Sequence, residues 1–179
     1  MRVISGIYRS RILKGYDDKL TRPTMDRIKE SMFAMINSYI KDSTCLDLFA
    51  GSGSLGIEAI SNKAKEVYFN DNSSSILKVL KENINTLKIT SATVLNLDYM
   101  SCLNKLKSEN LVVDIIFIDA PYHMNVISNI LNYTYENNIL SPNGIIVYEH
   151  DKYQVENNNY NIIKEKKFKD IIVTIYQIK

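Results

Sequence analysis

Cysteine is scarce in this chain of 179 residues, which holds only Cys45 and Cys102. Two cysteines cannot make a disulfide scaffold, so they read as reduced thiols of a cytoplasmic protein. Cys45 lies inside an apolar run, the setting of a core thiol. No apolar stretch has the length of a membrane span, which excludes a helical membrane protein. The basic N-terminus has no apolar segment behind it, so no secretory leader is expected. The two histidines, His123 and His150, stand at no metal-ligand spacing, and no metal site is expected. Internal repeats are missing. Beyond residue 27 arginine is missing too: Arg2, Arg9, Arg11, Arg22 and Arg27 are all there are.

That confinement is the clearest charge pattern, because the net charge is only +2. Lys14, Lys19 and Lys29 add to the basic end. The segment is either a solvated tail or an anion-binding arm for nucleic acid, since guanidinium forks pair well with phosphate. At 45% apolar and 23% charged residues, the composition is that of a domain with a sizeable core. A single domain over 1–179 is expected, with a basic arm at 1–23 and the core over 24–179.

The arm "RVISGIYRSRILKG" has two extended stretches around a polar centre and reads as a small β-hairpin at 2–14. Thr24 is a helix-capping residue, and Ile28, Met32, Met35, Ile36 and Tyr39 after it fall on one helical face. From Thr44 onward, strands alternate with helices. "TCLDLFA", "EVYFND", "ATVLNLD", "VVDIIFIDA" and "GIIVYEH" read as strands, the last after a Ser-Pro-Asn-Gly turn. Helices are expected near 54–63, over 74–88 with Ile76, Leu80, Ile84 and Leu87 in register, near 100–107, and over 125–138. This pattern predicts an α/β fold with a mostly parallel, doubly wound sheet. The C-terminal strands have no helix between them, so one of them should run antiparallel.

"DLFAGSGSLG" places Gly51, Gly53 and Gly56 as G-x-G-x-x-G between a strand and a helix. Such glycines let a ligand approach backbone N–H groups closely. Asp71 ends the next strand, where a carboxylate can accept both hydroxyls of a ribose. The loop by itself admits a dinucleotide or S-adenosylmethionine. Asp47, just before it, would repel a pyrophosphate and attract the ammonium of a methionine moiety. Little chain remains after the fourth strand for a separate substrate domain. Both points favour S-adenosylmethionine.

In "FIDAPYH" an apolar strand ends on Asp119 and turns through Ala120 and Pro121 to Tyr122. A methyl acceptor such as an exocyclic base amine is a poor nucleophile, because its lone pair is delocalised. A carboxylate and a carbonyl that accept its N–H bonds would hold it for attack. Proline fixes the turn, and the aromatic ring gives the base a stacking face. His123 reads as a loop residue. Glu149, ending the fifth strand, either lines the same crevice or caps its strand.

"DAPY" resembles the [DN]-P-P-[YF] motif of methyltransferases that act on exocyclic amines. With "RVISGIYRSRIL", "TRPTMDRIKESMF" and "LDLFAGSGSLGIEAIS", nearly the whole chain is similar to the bacterial family that methylates guanine N2 in 16S ribosomal RNA. The resemblance implies a Rossmann-like fold and an S-adenosylmethionine-dependent enzyme that acts as a monomer. Its partner would be the small-subunit RNA or an assembly intermediate. Asp47, Ala50, Gly51, Ser52 and Gly53 would form the cofactor loop, Asp71 would hold the ribose and Asp98 would contact the adenine. Asp119 to Tyr122 would hold the base, and Arg22 and Arg27 match the family's arginines beside the active site. Arg9 and Arg11 are expected, from the charge of the arm, to bind RNA phosphates. Two positions depart from the family pattern. Ala120 replaces a proline, which removes one rigid ring but keeps the carbonyl. Asp71 stands where glutamate is common. Three other readings remain: an adenine-N6 methyltransferase, a catalytically silent RNA-binding protein of this fold, and a dinucleotide oxidoreductase.

Overall fold

The computed structural model describes residues 1–15, 22–121, 123–151 and 155–179, with side chains of the first helix described from Met25. Seven strands form one sheet: β1 (Thr44–Asp47), β2 (Glu66–Asn70), β3 (Ala92–Leu95), β4 (Val113–Ile118), β5 (Leu140–His150), β6 (Tyr160–Phe168) and β7 (Ile171–Ile178). Among the described residues, five helices connect or flank them: α1 (Arg22–Ile40), α2 (Ser54–Ser61), α3 (Ser74–Leu87), α4 (Tyr99–Ser108) and α5 (Ile127–Glu136). The sheet order is β3-β2-β1-β4-β5-β7-β6. Strands β1 to β5 are mutually parallel, and β7 is antiparallel to both β5 and β6. A helix intervenes at each step from β1 to β5, as a parallel crossover requires. The β6–β7 hairpin has none. The chain winds outward both ways from β1 and β4, so the switch point lies between those two strands. This is the Rossmann-like, doubly wound arrangement expected from the sequence.

Both faces of the sheet are covered, which explains the unbroken apolar run of β4. Alternate residues feed two cores. Cys45, Phe69, Ile115, Phe117 and Val147 pack with α1, α2 and α3. Leu46, Ile116, Ile118 and Ile146 pack with α4 and α5. Phe33 of α1 stacks on Phe117, with ring centroids 5.7 Å apart. Cys45 and Cys102 are fully buried, and burial pushes both thiols up to about 12, as inert core residues. Among the described residues, no helix is long and apolar enough to cross a membrane.

Several local expectations are corrected. Helix α1 starts at Arg22, so Thr24 lies within it and does not cap it. In α3 Leu80 and Ile84 are core residues as expected, but Leu77 joins them while Ile76 faces the cavity at the strand ends. Strand β5 already begins at Leu140, and the Ser-Pro-Asn-Gly stretch is absorbed as a register shift against β4. The arm is hairpin-like as expected, without a continuous ladder. One antiparallel bridge, Arg2 to Ile12, flanks a 3-10 turn at Gly6–Tyr8. Val3 and Leu13 donate across the arm to the Arg11 and Met1 carbonyls and Ser10 donates to that of Val3, while Ile4 and Ser5 donate to the Glu58 carboxylate of α2 and Tyr8 donates to Ser61 Oγ. Gly6, at φ +76°, sits so close to α2 that a Cβ would lie 1.9 Å from the Ser61 carbonyl oxygen. Val3 and Leu13 are buried in the core, which anchors both limbs of the arm.

Candidate active site

The carboxyl ends of β1 to β5 open onto a cavity of about 520 Å³. One acid from each strand or the loop after it lines this cavity, in spatial order Asp98, Asp71, Asp47, Asp119, Glu149. Asp47, Asp119 and Glu149 each lie two positions beyond a residue of the α1–α3 core, so the pleat puts them on one face.

Asp47 is 1% exposed and its Oδ2 accepts the Gly56 amide at 2.9 Å. Burial pushes its carboxyl up to about 7; the Gly56 amide opposes this, and the charges of Asp119 and Asp71 add to it. Asp71 accepts the Gly51 amide at 3.0 Å and the Ser73 amide at 2.9 Å. Asp98 is exposed and caps α4, accepting the Met100 and Ser101 amides at 3.0 Å each. Hydrogen bonding from Ser101 holds its carboxyl below the usual range. Asp119 is different. It is partly buried and accepts no hydrogen bond from another described residue, and burial raises its carboxyl above the usual range.

The three glycines have separate physical roles. Gly51, at φ +54°, has nothing within 4 Å of where a Cβ would stand, so its backbone fronts open cavity. Gly53, at φ +88°, lies under Leu80, with 2.3 Å from a built Cβ to Leu80 Cδ1. Gly56 lets α2 press on β2: a Cβ there would be 2.2 Å from the Phe69 ring. Of the expected loop residues, Asp47, Ala50, Gly51 and Ser52 line the cavity, and Gly53 lies behind it.

Other lining residues are invisible to sequence reasoning. Asn70, 1% exposed, donates to the Leu48 and Leu97 carbonyls and ties together the loops after β1 and β3. Its Oδ1 is buried without a partner among the described residues. Phe49 and Tyr99 form a tilted ring pair, 5.9 Å between centroids, on the cavity wall. Lys29 is not part of the exposed basic arm. It is 5% exposed, pairs with Glu58 at 3.1 Å, and donates to the Arg2 carbonyl and Ser54 Oγ. Burial lowers its pKa, with Glu58 opposing. The signal for Glu58 is a lone acid inside the apolar helix "SLGIEAIS". No sequence spacing links it to Lys29.

Arg9 and Arg27 are exposed and, with Arg2, line a groove of about 530 Å³ that shares Asp26 with the main cavity. Arg2 Nε donates to Asp26 at 3.0 Å. Arg11 is exposed nearby on the arm. The side chain of Arg22, and Tyr122 as a whole, lie outside the described residues. Ala120 is buried, Pro121 lines the cavity, and its carbonyl accepts the Met124 amide to close the turn. His123 is exposed, and Glu149 lines the cavity at 8% exposure.

The family described as conserved hypothetical protein 95 matches residues 1–177. A protein of Haemophilus influenzae named ribosomal RNA small subunit methyltransferase D is 38% identical, over 99% of this chain and 93% of its own. Its namesake from Escherichia coli K12 is 32% identical, over 99% and 89%. The solved structure of yhhF from Escherichia coli superposes with a TM-score of 0.89 at 30% identity, covering 100% of this chain and 98% of that one. With a family match over nearly its full length and relatives this similar end to end, the chain belongs to the ribosomal RNA small subunit methyltransferase D family.

Proposed function

We propose that this chain transfers a methyl group from S-adenosylmethionine to the N2 amine of a guanine in 16S ribosomal RNA. The observation that carries the reading is Asp119, an acid with no described hydrogen-bond partner on the same cavity as the glycine loop. Family membership supports the RNA substrate.

The cavity suits the cofactor. Its volume lies in the usual range of about 300–1,000 Å³ for small-molecule sites. Gly51 leaves backbone room, Asp47 offers a buried carboxylate to an ammonium, and Asn70 Oδ1 is an acceptor without a donor among the described residues. Asp71 retains lone pairs for ribose hydroxyls beyond its two amide bonds. Phe49 and Tyr99 supply aromatic surface for the adenine beside Asp98.

When bound, S-adenosylmethionine supplies an electrophilic methyl group, whose C–S bond breaks as the new N–C bond forms. The protein's own part is alignment. The target base leaves its stack and enters the cavity. Asp119 and the Ala120 carbonyl accept the two N–H bonds of the amine, which turns its lone pair toward the cofactor side. Tyr122 gives the base a stacking face. The methylated nitrogen then loses one proton to water. Arg9, Arg11, Arg22 and Arg27 hold RNA phosphates at the cavity mouth.

Mass mapping of ribosomal RNA from cells with and without the gene tests the reading. The expected result is loss of one N2-methylguanine from 16S RNA. Loss of an N6-methyladenine instead, or of no methyl group at all, would overturn it.

A further inference from the structure

We propose that Glu149 determines base specificity, accepting the N1–H of guanine while Asp119 holds the neighbouring 2-amino group. The inference rests on the proposed function, in which a base amine docks at Asp119. Strands β4 and β5 are in register through Phe117 with Val147 and Ile118 with Tyr148. Extending that register one residue past its last pair brings Asp119 level with Glu149. Neighbouring strands are about 4.8 Å apart, so the two carboxylates bracket one edge of a ligand. Glu149 is 8% exposed and lines the cavity. It also stands on the far side of Asp119 from the glycine loop, because β4 lies between β1 and β5. That is the half of the cavity left for the substrate.

The chemistry of the purine edge then chooses the base. An ionised carboxylate only accepts hydrogen bonds. Guanine presents a row of donors, its 2-amino group and N1–H. Adenine presents its 6-amino group beside N1, which carries a lone pair and no hydrogen. Two carboxylates side by side satisfy guanine and set lone pair against lone pair with adenine. Asp119 by itself would hold either amine, so discrimination falls to Glu149.

The test uses the full chain and small subunits reassembled on 16S RNA carrying, at the mapped position, either guanine or 2-aminopurine. The second base keeps the 2-amino group but has no N1–H. Wild-type protein should methylate the guanine subunits about 10- to 100-fold faster in kcat/KM, the scale of one specific base contact. Glu149→Gln should bring that ratio close to one, because a carboxamide both accepts and donates. By calorimetry the variant should bind S-adenosylhomocysteine as wild type does. Equal wild-type rates on the two substrates would overturn the assignment without any variant being made. So would full discrimination by Glu149→Gln, or loss of its S-adenosylhomocysteine binding, which would place Glu149 in the cofactor site. None of these results touches the guanine-N2 reading, which falls here if wild type leaves guanine unmethylated.

Discussion

On the β1–β3 side of the cavity each acid is tied to backbone amides: Asp47 to Gly56, Asp71 to Gly51 and Ser73, Asp98 to Met100 and Ser101. On the β4 side Asp119 has no such tether among the described residues. Both regions come from the same strand-to-loop geometry, so their difference lies in the loop that leaves each strand. After β1 and β3 amides of the following helix reach back to the acid, and after β2 the Ser73 amide and the Gly51 amide of the neighbouring loop do so. After β4 it passes through Ala120 and Pro121 before α5, and no described amide returns. The cofactor side is therefore set before any ligand arrives. On the substrate side Asp119 keeps its acceptor capacity for the substrate.

Breaking the untethered side should cost the most. Asp119→Ala should retain cofactor but lower the single-turnover methylation rate about 10²–10³-fold, the effect of removing one preorganised polar contact. Asp119→Asn keeps an acceptor oxygen and should lose less. Tritiated cofactor on saturating RNA measures both, and wild-type rates for Asp119→Ala would erase the contrast. On the tethered side, Asp71→Ala should weaken cofactor binding by about 1–3 kcal/mol, the scale of charged hydrogen bonds. Titration calorimetry reads this directly, and the rate at saturating cofactor should change little.

A smaller effect sharpens the comparison through pH. Unfolded, Asp47 ionises near the ordinary carboxylate value of about 3.9. Folded and ligand-free, it holds its proton up to about pH 7. The native state thus binds more protons in that window, and free-protein stability should fall as pH rises from about 4 to about 7. A cationic ligand favours the carboxylate. The gain in Tm from S-adenosylhomocysteine should therefore be larger at about pH 8 than at about pH 5.5, and Asp47→Asn should remove the difference. A Tm gain that is flat with pH would disconnect Asp47 from the ligand's ammonium. The smallest effect should come from the groove outside both sides. Neutralising Arg9 and Arg11 together should flatten the slope of log affinity against log salt for RNA by about one to two, with cofactor affinity unchanged.

The fold is largely legible in the sequence because strand–helix alternation and buried apolar runs are local patterns. Asp47, Gly51, Asp71 and Asp119 are legible for the same reason, since each ends a strand or opens a helix within a few residues. The features that escape sequence reasoning are non-local. Lys29 looks like one more cation of a basic segment, and only the fold shows that Glu58 meets it across elements. Asn70 and Asn83 are two among many asparagines, and their burial at loop junctions has no periodic signature. The arm reads as a hairpin because its alternation is real, while the partners of its Ile4, Ser5 and Tyr8 amides lie about fifty residues away.

That distance has a consequence for how the chain assembles. Ile4 and Ser5 bond to Glu58, and Lys14 and the Ser52 carbonyl are both held by Asn83, across sequence separations of 54, 53, 69 and 31 residues. During synthesis the arm emerges before α2 and α3, so its anchors do not exist until Asn83 has left the ribosome. The arm is thus among the segments with the longest wait for a partner, and its docking carries a loop-closure cost that local helices escape. Its arginines spend that interval undocked, in a solution crowded with the class of polymer they are proposed to bind.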